Sequence, residues 1–210
     1  MRLAVINEVS ARLKNADILS ALSEHGEITV YNAGMSASGD EPELTYLQTG
    51  LMAALLLNLG ACDFVVGGCG TGQGFLNSVL QYPNVVCGLL TEPLDAWLFS
   101  QINAGNCVSL ALNKGYGWAG ELNLKLLFRE LFRDPPGAGY PPARSESQAQ
   151  SRARLSEISR AAHRDMAEIL RLLDPAVVRP LKQYQVFLDL LRNAENRALA
   201  QDVLSYLETL

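Results

Sequence analysis

The chain alternates between short, wholly apolar runs and longer segments whose apolar residues recur at three- and four-residue steps. Runs that are apolar throughout indicate strands buried on both faces of a parallel sheet. We therefore predict strands over residues 3–6, 28–32, 63–67, 85–90 and 107–112. The helical pattern lies between and after them, over residues 11–23, 44–59, 74–81, 93–103 and 118–132.

Strands and helices of this length that alternate along a chain form right-handed βαβ units. The pattern predicts an α/β fold of three layers, α/β/α: a Rossmann-like, doubly wound parallel sheet of five strands with a C-terminal helical extension.

A segment dense in proline and glycine, residues 134–142, interrupts this pattern and is predicted to be a connector. We predict an α/β domain over 1–133 and a helical extension over 143–210. In the extension, one apolar stripe predicts a helix that ends near Asp174-Pro175: Leu155, Ile158, Ala162, Met166, Ile169 and Leu173. We expect the extension to pack on the α/β domain or on a partner subunit, as a dimer or tetramer interface.

Composition and charge restrict the possible functions. The 210 residues contain no apolar run of about 20 residues that could cross a bilayer, and no targeting segment, so we expect a cytoplasmic protein with no membrane partner. Residues 1–142 hold 7 basic against 13 acidic residues. An acidic body argues against a nucleic-acid partner, which would need a basic patch.

The four cysteines lack the close spacing of metal ligands, and only two histidines accompany them, so we predict no metal site. Cys62, Cys87 and Cys107 lie in apolar contexts and are predicted to be structural. Cys69 differs, because it lies in a run with five glycines in eight residues, Gly67-Gly68-Cys69-Gly70-Thr71-Gly72-Gln73-Gly74. Glycines let backbone amides converge on an oxyanion at the end of the preceding strand.

Several interpretations of this loop are open. A dinucleotide site fits the glycine spacing poorly. A cysteine nucleophile would need His25 or His163 as its base. Proton transfer beside a carbonyl would use Cys69 as a general base and the loop amides to hold the enediolate oxygen. The glycines could also form only a tight turn around a buried cysteine.

The run Cys69–Gly74 resembles the hallmark of the ribose-5-phosphate isomerase B / galactose-6-phosphate isomerase family. Asp63 before the strand and the turn Asn103-Ala104-Gly105-Asn106 extend the likeness. The resemblance implies an aldose–ketose isomerase that acts on a sugar phosphate through an enediolate, without a cofactor, with sites built from both subunits of a dimer. It implies that Cys69 is the base and that Arg154 reaches the phosphate, while the sugar oxygens are held by Asn103, by Thr71 and by the amides of Gly70, Gly72 and Gly74.

The chain departs from this family at several positions. The family's Ser-Asp-His-Ala-Gly is Asn7-Glu8-Val9-Ser10-Ala11 here, the histidine after the fourth strand is Thr91, and an arginine after the fifth is replaced by Asn113-Lys114. We expect Asn7 and Thr91 to contact the sugar, and Glu8 or Glu92 to serve as the acid–base group for ring opening. Arg12, Lys14 and Lys114 are candidate phosphate cations. An unphosphorylated sugar, and a non-catalytic sugar-binding relative, remain alternatives.

Overall fold

The structure is a computed structural model that describes residues 1–36 and 39–210. The described residues form one sheet of five parallel strands in the order β2-β1-β3-β5-β4. The strands are β1 (Arg2–Asn7), β2 (Thr29–Asn32), β3 (Phe64–Cys69), β4 (Cys87–Leu90) and β5 (Cys107–Ala111). Each overlaps a predicted strand, and the predicted fold class is confirmed.

The helices follow the predicted alternation. Those of the α/β domain are α1 (Asn15–Leu22), α2 (Tyr46–Asn58), α3 (Gln73–Val79), α4 (Pro93–Leu98) and α5 (Gly120–Leu131). A 3₁₀ turn, Arg12–Lys14, precedes α1, and a π-helical turn, Phe99–Asn103, continues α4. Within the described residues, no helix is both long and apolar enough to span a membrane.

Two hydrophobic cores cover the two faces of the sheet. On one face, side chains such as Val5 and Val66 pack against α1, α4 and α5, with Phe128 fully buried. On the other, Ile6 and Val65 pack against α2 and α3, where Phe75 is fully buried. This arrangement gives the three layers that the apolar strands predicted.

The strand order reverses between β1 and β3. The chain leaves β1 toward β2 on one side, whereas β3, β5 and β4 all lie on the other. Ligands of open α/β sheets bind in the crevice at the carboxyl ends of the strands where the order reverses. Asn7 ends β1 and Cys69 ends β3, so the sequence places both residues at this crevice.

The connector is fixed to the α/β domain. The Gly137 and Gly139 amides donate to the carbonyls of Ser100 and Gln101 at 3.0 and 2.9 Å. Beyond it lie α6 (Ser145–Ala162), α7 (Met166–Leu172), α8 (Pro175–Val178), α9 (Gln185–Arg192) and α10 (Arg197–Thr209). Side chains of α7 to α10, Phe187 and Leu207 among them, join the same core as α2 and α3.

The predicted single helix with the stripe from Leu155 to Leu173 is wrong. The chain breaks at His163–Asp165, because Asp165 accepts a hydrogen bond from the Glu168 amide at 2.8 Å and begins a new helix. The two halves of the stripe have different surroundings: Met166 is buried, whereas Leu155 and Ile158 are 55% and 60% exposed. No residue of α6 is buried.

Candidate active site

Two glycines, one in β3 and one in the loop after it, lie where no side chain fits. Gly72 has φ +75°, and a Cβ added there would lie 2.5 Å from Leu89 Cδ1. At Gly67, an added Cβ would lie 2.1 Å from the Phe75 ring. These close approaches bring α3 directly over the end of β3, so the loop takes one compact form.

Cys69 is the last residue of β3 and is 6% exposed. Its Sγ lies 3.9 Å from the Thr71 Oγ1, which also accepts a bond from the Gln73 amide at 3.3 Å. A thiol and a hydroxyl therefore lie side by side at the crevice. In the other buried thiols, burial raises the pKa of Cys62 to about 12 and raises that of Cys107 as well.

Glu8 follows β1 and is 4% exposed. Its carboxylate accepts the Ser10 amide at 3.0 Å and the Ser10 hydroxyl. The same hydroxyl accepts the Gly70 amide at 2.9 Å, so a chain of hydrogen bonds joins Glu8 to the residue after Cys69. Among the described residues Glu8 forms no ion pair, and its carboxylate is held by the Ser10 amide and hydroxyl.

Asn7 is fully buried at the end of β1. Neither its side-chain Nδ2 nor its Oδ1 has a hydrogen-bond partner among the described residues. A buried amide left unpaired costs about 1–3 kcal/mol, so protein interiors rarely keep one. Asn7 is thus the polar group at the crevice whose contacts are incomplete.

A cavity of about 240 Å³ adjoins the loop. Thr71, Thr91 and Lys114 line it, and among its described lining residues only Lys114 is charged. Tyr116 closes another side: its hydroxyl donates to Asp17 at 2.6 Å, and burial, with this bond, raises the pKa of the phenol. Lys14 Nζ lies 4.4 Å from the centre of the Tyr116 ring. Cys69 itself does not line this cavity.

The loop amides are partly engaged within the protein. The Gly70 amide donates to Ser10, and the Gly72 amide donates to the Cys69 carbonyl at 3.3 Å. At Gly74 the Tyr46 ring packs so closely that an added Cβ would lie 2.8 Å from its Cδ1. The role of these three amides in holding a sugar oxygen therefore stays a prediction.

Two predicted sugar- and phosphate-binding residues are not brought to the loop within one chain. Asn103 is exposed and precedes β5, which puts it at the amino edge of the sheet, opposite to Cys69. Arg154 is exposed on α6, and α6 is joined to that same edge because Arg152 donates to the Ile102 carbonyl at 2.8 Å.

Other candidates have local partners. Glu92 is exposed at the start of α4, where Asp95 accepts the amides of Thr91 and Glu92 at 2.9 and 3.2 Å. The guanidinium of Arg12 pairs with Glu43 at 2.9 Å. Of the predicted set, the loop thus brings together Cys69, Thr71 and Glu8, with Lys114 and Thr91 in the adjoining cavity.

Neither histidine lies beside Cys69. His25 precedes β2 at the amino edge and packs edge-on against Phe132, with ring centres 5.5 Å apart. His163 Nδ1 lies 2.9 Å from the Ser159 carbonyl oxygen of α6. Across residues 1–36 and 39–210, no three metal-ligating side chains are grouped. The arrangement favours proton transfer over a cysteine–histidine nucleophile.

Sequence reasoning missed the bridging role of Ser10 and the position of Tyr46. Ser10 connects two loops that are 60 residues apart in the chain, and Tyr46, at the start of α2, covers Gly74. For Ser10 a signal was present: it follows a strand that ends at the same edge of the sheet as Cys69. Tyr46 had none, because its contact with Gly74 arises only from the packing of α2 on α3.

Comparison with known proteins gives the family. Residues 4–122 match the ribose/galactose isomerase family. A crystal structure described as 4-deoxy-L-threo-5-hexosulose-uronate ketol-isomerase complexed with a tartrate is 40% identical, covers 100% of this chain and 98% of its own, and has a TM-score of 0.92. The chain belongs to the ribose/galactose isomerase family, and this membership indicates a sugar isomerase.

Two further structures are similar. One, described as ribose-5-phosphate isomerase from Vibrio parahaemolyticus, is 39% identical over 100% of this chain and 98% of its own, with a TM-score of 0.92. The type B ribose 5-phosphate isomerase of Trypanosoma cruzi is 16% identical over 78% of this chain and 100% of its own, with a TM-score of 0.66, and shares the fold. The search among curated proteins gave no match.

Proposed function

We propose that this protein is a ketol-isomerase that moves a proton between adjacent carbons of an open-chain acidic sugar, with Cys69 as the base. The observation that carries the proposal is the position of Cys69: it ends β3 at the crevice, beside the Thr71 hydroxyl, within a loop of backbone amides. Such a pairing of a base with an oxyanion site is what enediolate chemistry requires.

In the proposed reaction, the Cys69 thiolate removes the proton from the hydroxyl-bearing carbon next to the carbonyl. The electron pair of that C–H bond forms the carbon–carbon double bond, and the carbonyl oxygen becomes the enediolate oxygen. Thr71 donates to this oxygen, together with loop amides that are not already bonded to Ser10 or to the Cys69 carbonyl. The thiol then returns the proton to the former carbonyl carbon, which regenerates the thiolate, while Glu8 moves the proton between the two oxygens.

A carboxylate is the acidic group that the cavity suits best. Lys114 is the charged residue among the described residues that line it, and a lysine binds as a single point charge. A phosphate carries up to two charges and is best held by the bidentate fork of arginine. The 40%-identical ketol-isomerase is described as acting on a hexosulose uronate. We therefore propose a uronate of this kind as the substrate.

A sugar phosphate is the second candidate, because the Vibrio relative, at 39% identity, is described as a ribose-5-phosphate isomerase. For that substrate Arg154 of a second subunit would supply the phosphate contact. The surface of α6 supports such an assembly, since Leu155 and Ile158 are more than half exposed on a helix with no buried residue. We propose a homo-oligomer whose subunits share each site.

The test compares Lys114→Met with the wild-type protein on three substrates: 4-deoxy-L-threo-5-hexosulose uronate, ribose 5-phosphate and an uncharged aldose. A lost hydrogen bond to a charged group is expected to raise KM for the preferred acidic sugar about 10- to 100-fold and to leave the uncharged sugar unaffected. Lys125→Met is the matched control, because Lys125 pairs with Glu24 at 2.7 Å on α5. Turnover of ribose 5-phosphate alone would reject the uronate and favour the phosphate.

A further inference from the structure

The peptide group between Cys69 and Gly70 is held from both sides. Its carbonyl oxygen accepts the Leu112 amide at 3.0 Å and the Gly72 amide at 3.3 Å. Its N–H donates to the Ser10 hydroxyl at 2.9 Å. Because a peptide group is planar, fixing both ends of it fixes the backbone torsion that directs the Cys69 side chain.

At one end of this peptide group the acceptor is the Ser10 side chain, whereas at the other end the donors are backbone amides. The Ser10 hydroxyl in turn donates a hydrogen bond to the Glu8 carboxylate, so a chain of hydrogen bonds runs from Gly70 N–H through Ser10 O–H to a buried carboxylate. Hydrogen bonds in such a chain polarise and strengthen one another. Ser10 is in turn tied to the loop after β5, since Asn113 Nδ2 donates to its carbonyl at 2.8 Å.

We propose that Ser10 is a positioning residue for the isomerisation: its hydroxyl locks the peptide group after Cys69 to Glu8 and so aims the thiol at the reacting carbon. This inference rests on the proposed role of Cys69 as the base. It assigns to Ser10 no contact with the sugar. Ser10 thus connects the loops after β1, β3 and β5, and its hydroxyl is the group that links the first two.

The test uses three variants. Ser10→Ala removes the hydroxyl that bonds to Gly70 and Glu8, whereas Ser10→Thr keeps it. Because Ser10 is exposed, there is room for the added methyl group. Ser23→Ala is the matched control: its hydroxyl donates to the Ser20 carbonyl at 2.7 Å, at the end of α1 and the opposite edge of the sheet.

We expect kcat of Ser10→Ala to fall about 10- to 100-fold with little change in KM, because a misdirected base slows the chemical step without weakening binding. Ser10→Thr and Ser23→Ala should retain wild-type kcat. A wild-type kcat in Ser10→Ala would overturn the proposal. So would an equal loss in Ser10→Thr, since the hydroxyl would then not be the group responsible.

Alkylation of Cys69 by iodoacetamide, followed by mass spectrometry, gives a reading that needs no sugar. We expect alkylation of Cys69 to be several-fold faster in Ser10→Ala, because the released loop exposes the thiol more often, and to return to the wild-type rate in Ser10→Thr. Equal rates in all variants would overturn the positioning role. A wild-type protein that turns over none of the sugars would reject the proposed function, while the alkylation rates would still decide the role of Ser10.

Discussion

Polar side chains at the two edges of the sheet differ in how completely they are hydrogen-bonded. At the amino edge, Arg2 donates to Asp63 at 2.5 Å and to Glu195 at 2.8 Å, and so ties β1 and β3 to the C-terminal helices. Asn106 is equally well paired there, with the Val86 amide and the Asn84 carbonyl, each at 2.9 Å. At the carboxyl edge, by contrast, the buried side chain of Asn7 has no hydrogen-bond partner among residues 1–36 and 39–210.

The cysteines show the same contrast. Cys107 lies at the start of β5, fully buried, where burial holds its thiol neutral by raising the pKa. Cys69, at the end of β3, has the Thr71 hydroxyl beside it and a loop of glycines around it. One residue type therefore serves packing at one edge and, in our proposal, chemistry at the other. The difference teaches that position along the strand, more than residue type, decides the role that we propose for each cysteine.

The largest effect is expected when the loop itself is displaced. Gly72→Ala places a Cβ 2.5 Å from Leu89 Cδ1 at a residue with φ +75°. We expect kcat/KM to fall about 100-fold, since a shift of about 1 Å near the reacting groups has an effect of that size. Steady-state kinetics on the preferred sugar measures it.

Gly117→Ala is the control that distinguishes a steric clash of the added Cβ from the strain of a positive φ. Gly117 has φ +65°, but an added Cβ would have its nearest neighbour, the Gly115 carbonyl oxygen, at 3.8 Å. The variant should lose stability from the strained backbone and keep kcat/KM near the wild-type value. Equal losses of activity in both variants would contradict the account of a loop fixed by close packing.

A smaller effect, on stability, is expected at Asn7. Asn7→Leu replaces an unpartnered amide by an apolar group of similar size, so the free energy of unfolding should rise by about 1 kcal/mol while activity falls. Asn106→Leu, at the amino edge, should lower it by about 1–3 kcal/mol because two hydrogen bonds are lost. Urea unfolding measures the free energy of unfolding of both variants. A lower value for Asn7→Leu would contradict the difference in hydrogen bonding between the two edges.

The smallest effect is the pH dependence of the amino edge. The hydrogen bond from Arg2 lowers the pKa of Asp63, so this carboxylate stabilises the fold above its unfolded pKa of about 4. The contribution is lost as the pH falls through the lowered pKa of the folded state. Because Asp63 is 43% exposed, we expect less than about 1 kcal/mol. Asp63→Asn should remove this part of the acid dependence in urea unfolding; an unchanged dependence would contradict it.

Most of the fold could be predicted from the sequence, because parallel strands buried on both faces leave an unmistakable apolar run. The break at His163–Asp165 could not, since the apolar stripe continues across it in register. The helix breaks there because the Asp165 side chain accepts the Glu168 amide and caps a new helix, which the periodicity of apolar residues does not reveal. An apolar stripe also does not show whether its residues are buried within the same chain. Leu155 and Ile158 belong to the predicted stripe, yet both are exposed.

The sequence predicts which candidate residues a single chain brings to one edge of the sheet, while their roles stay predictions. Cys69 ends a strand, and Thr71, Glu8 and Lys114 follow strands whose carboxyl ends meet at the same edge, so sheet topology alone gathers them. Asn103 and Arg154 come from the opposite edge, and their predicted roles depend on a second subunit. The position of Ser10 at this edge also follows from sheet topology, but the bridge itself depends on the rotamer of its hydroxyl, which no pattern along the chain encodes.

The central claim, that Cys69 moves a proton on carbon, is tested most directly by deuterium exchange. The hydrogen on the hydroxyl-bearing carbon beside the sugar carbonyl is followed by NMR in D₂O for the wild type, Cys69→Ala and Cys107→Ala. We predict exchange in the wild type, its retention in Cys107→Ala, and a loss of at least about 100-fold in Cys69→Ala. Exchange at the wild-type rate in Cys69→Ala would contradict the account, and no exchange in folded wild-type protein would indicate a sugar-binding relative without turnover.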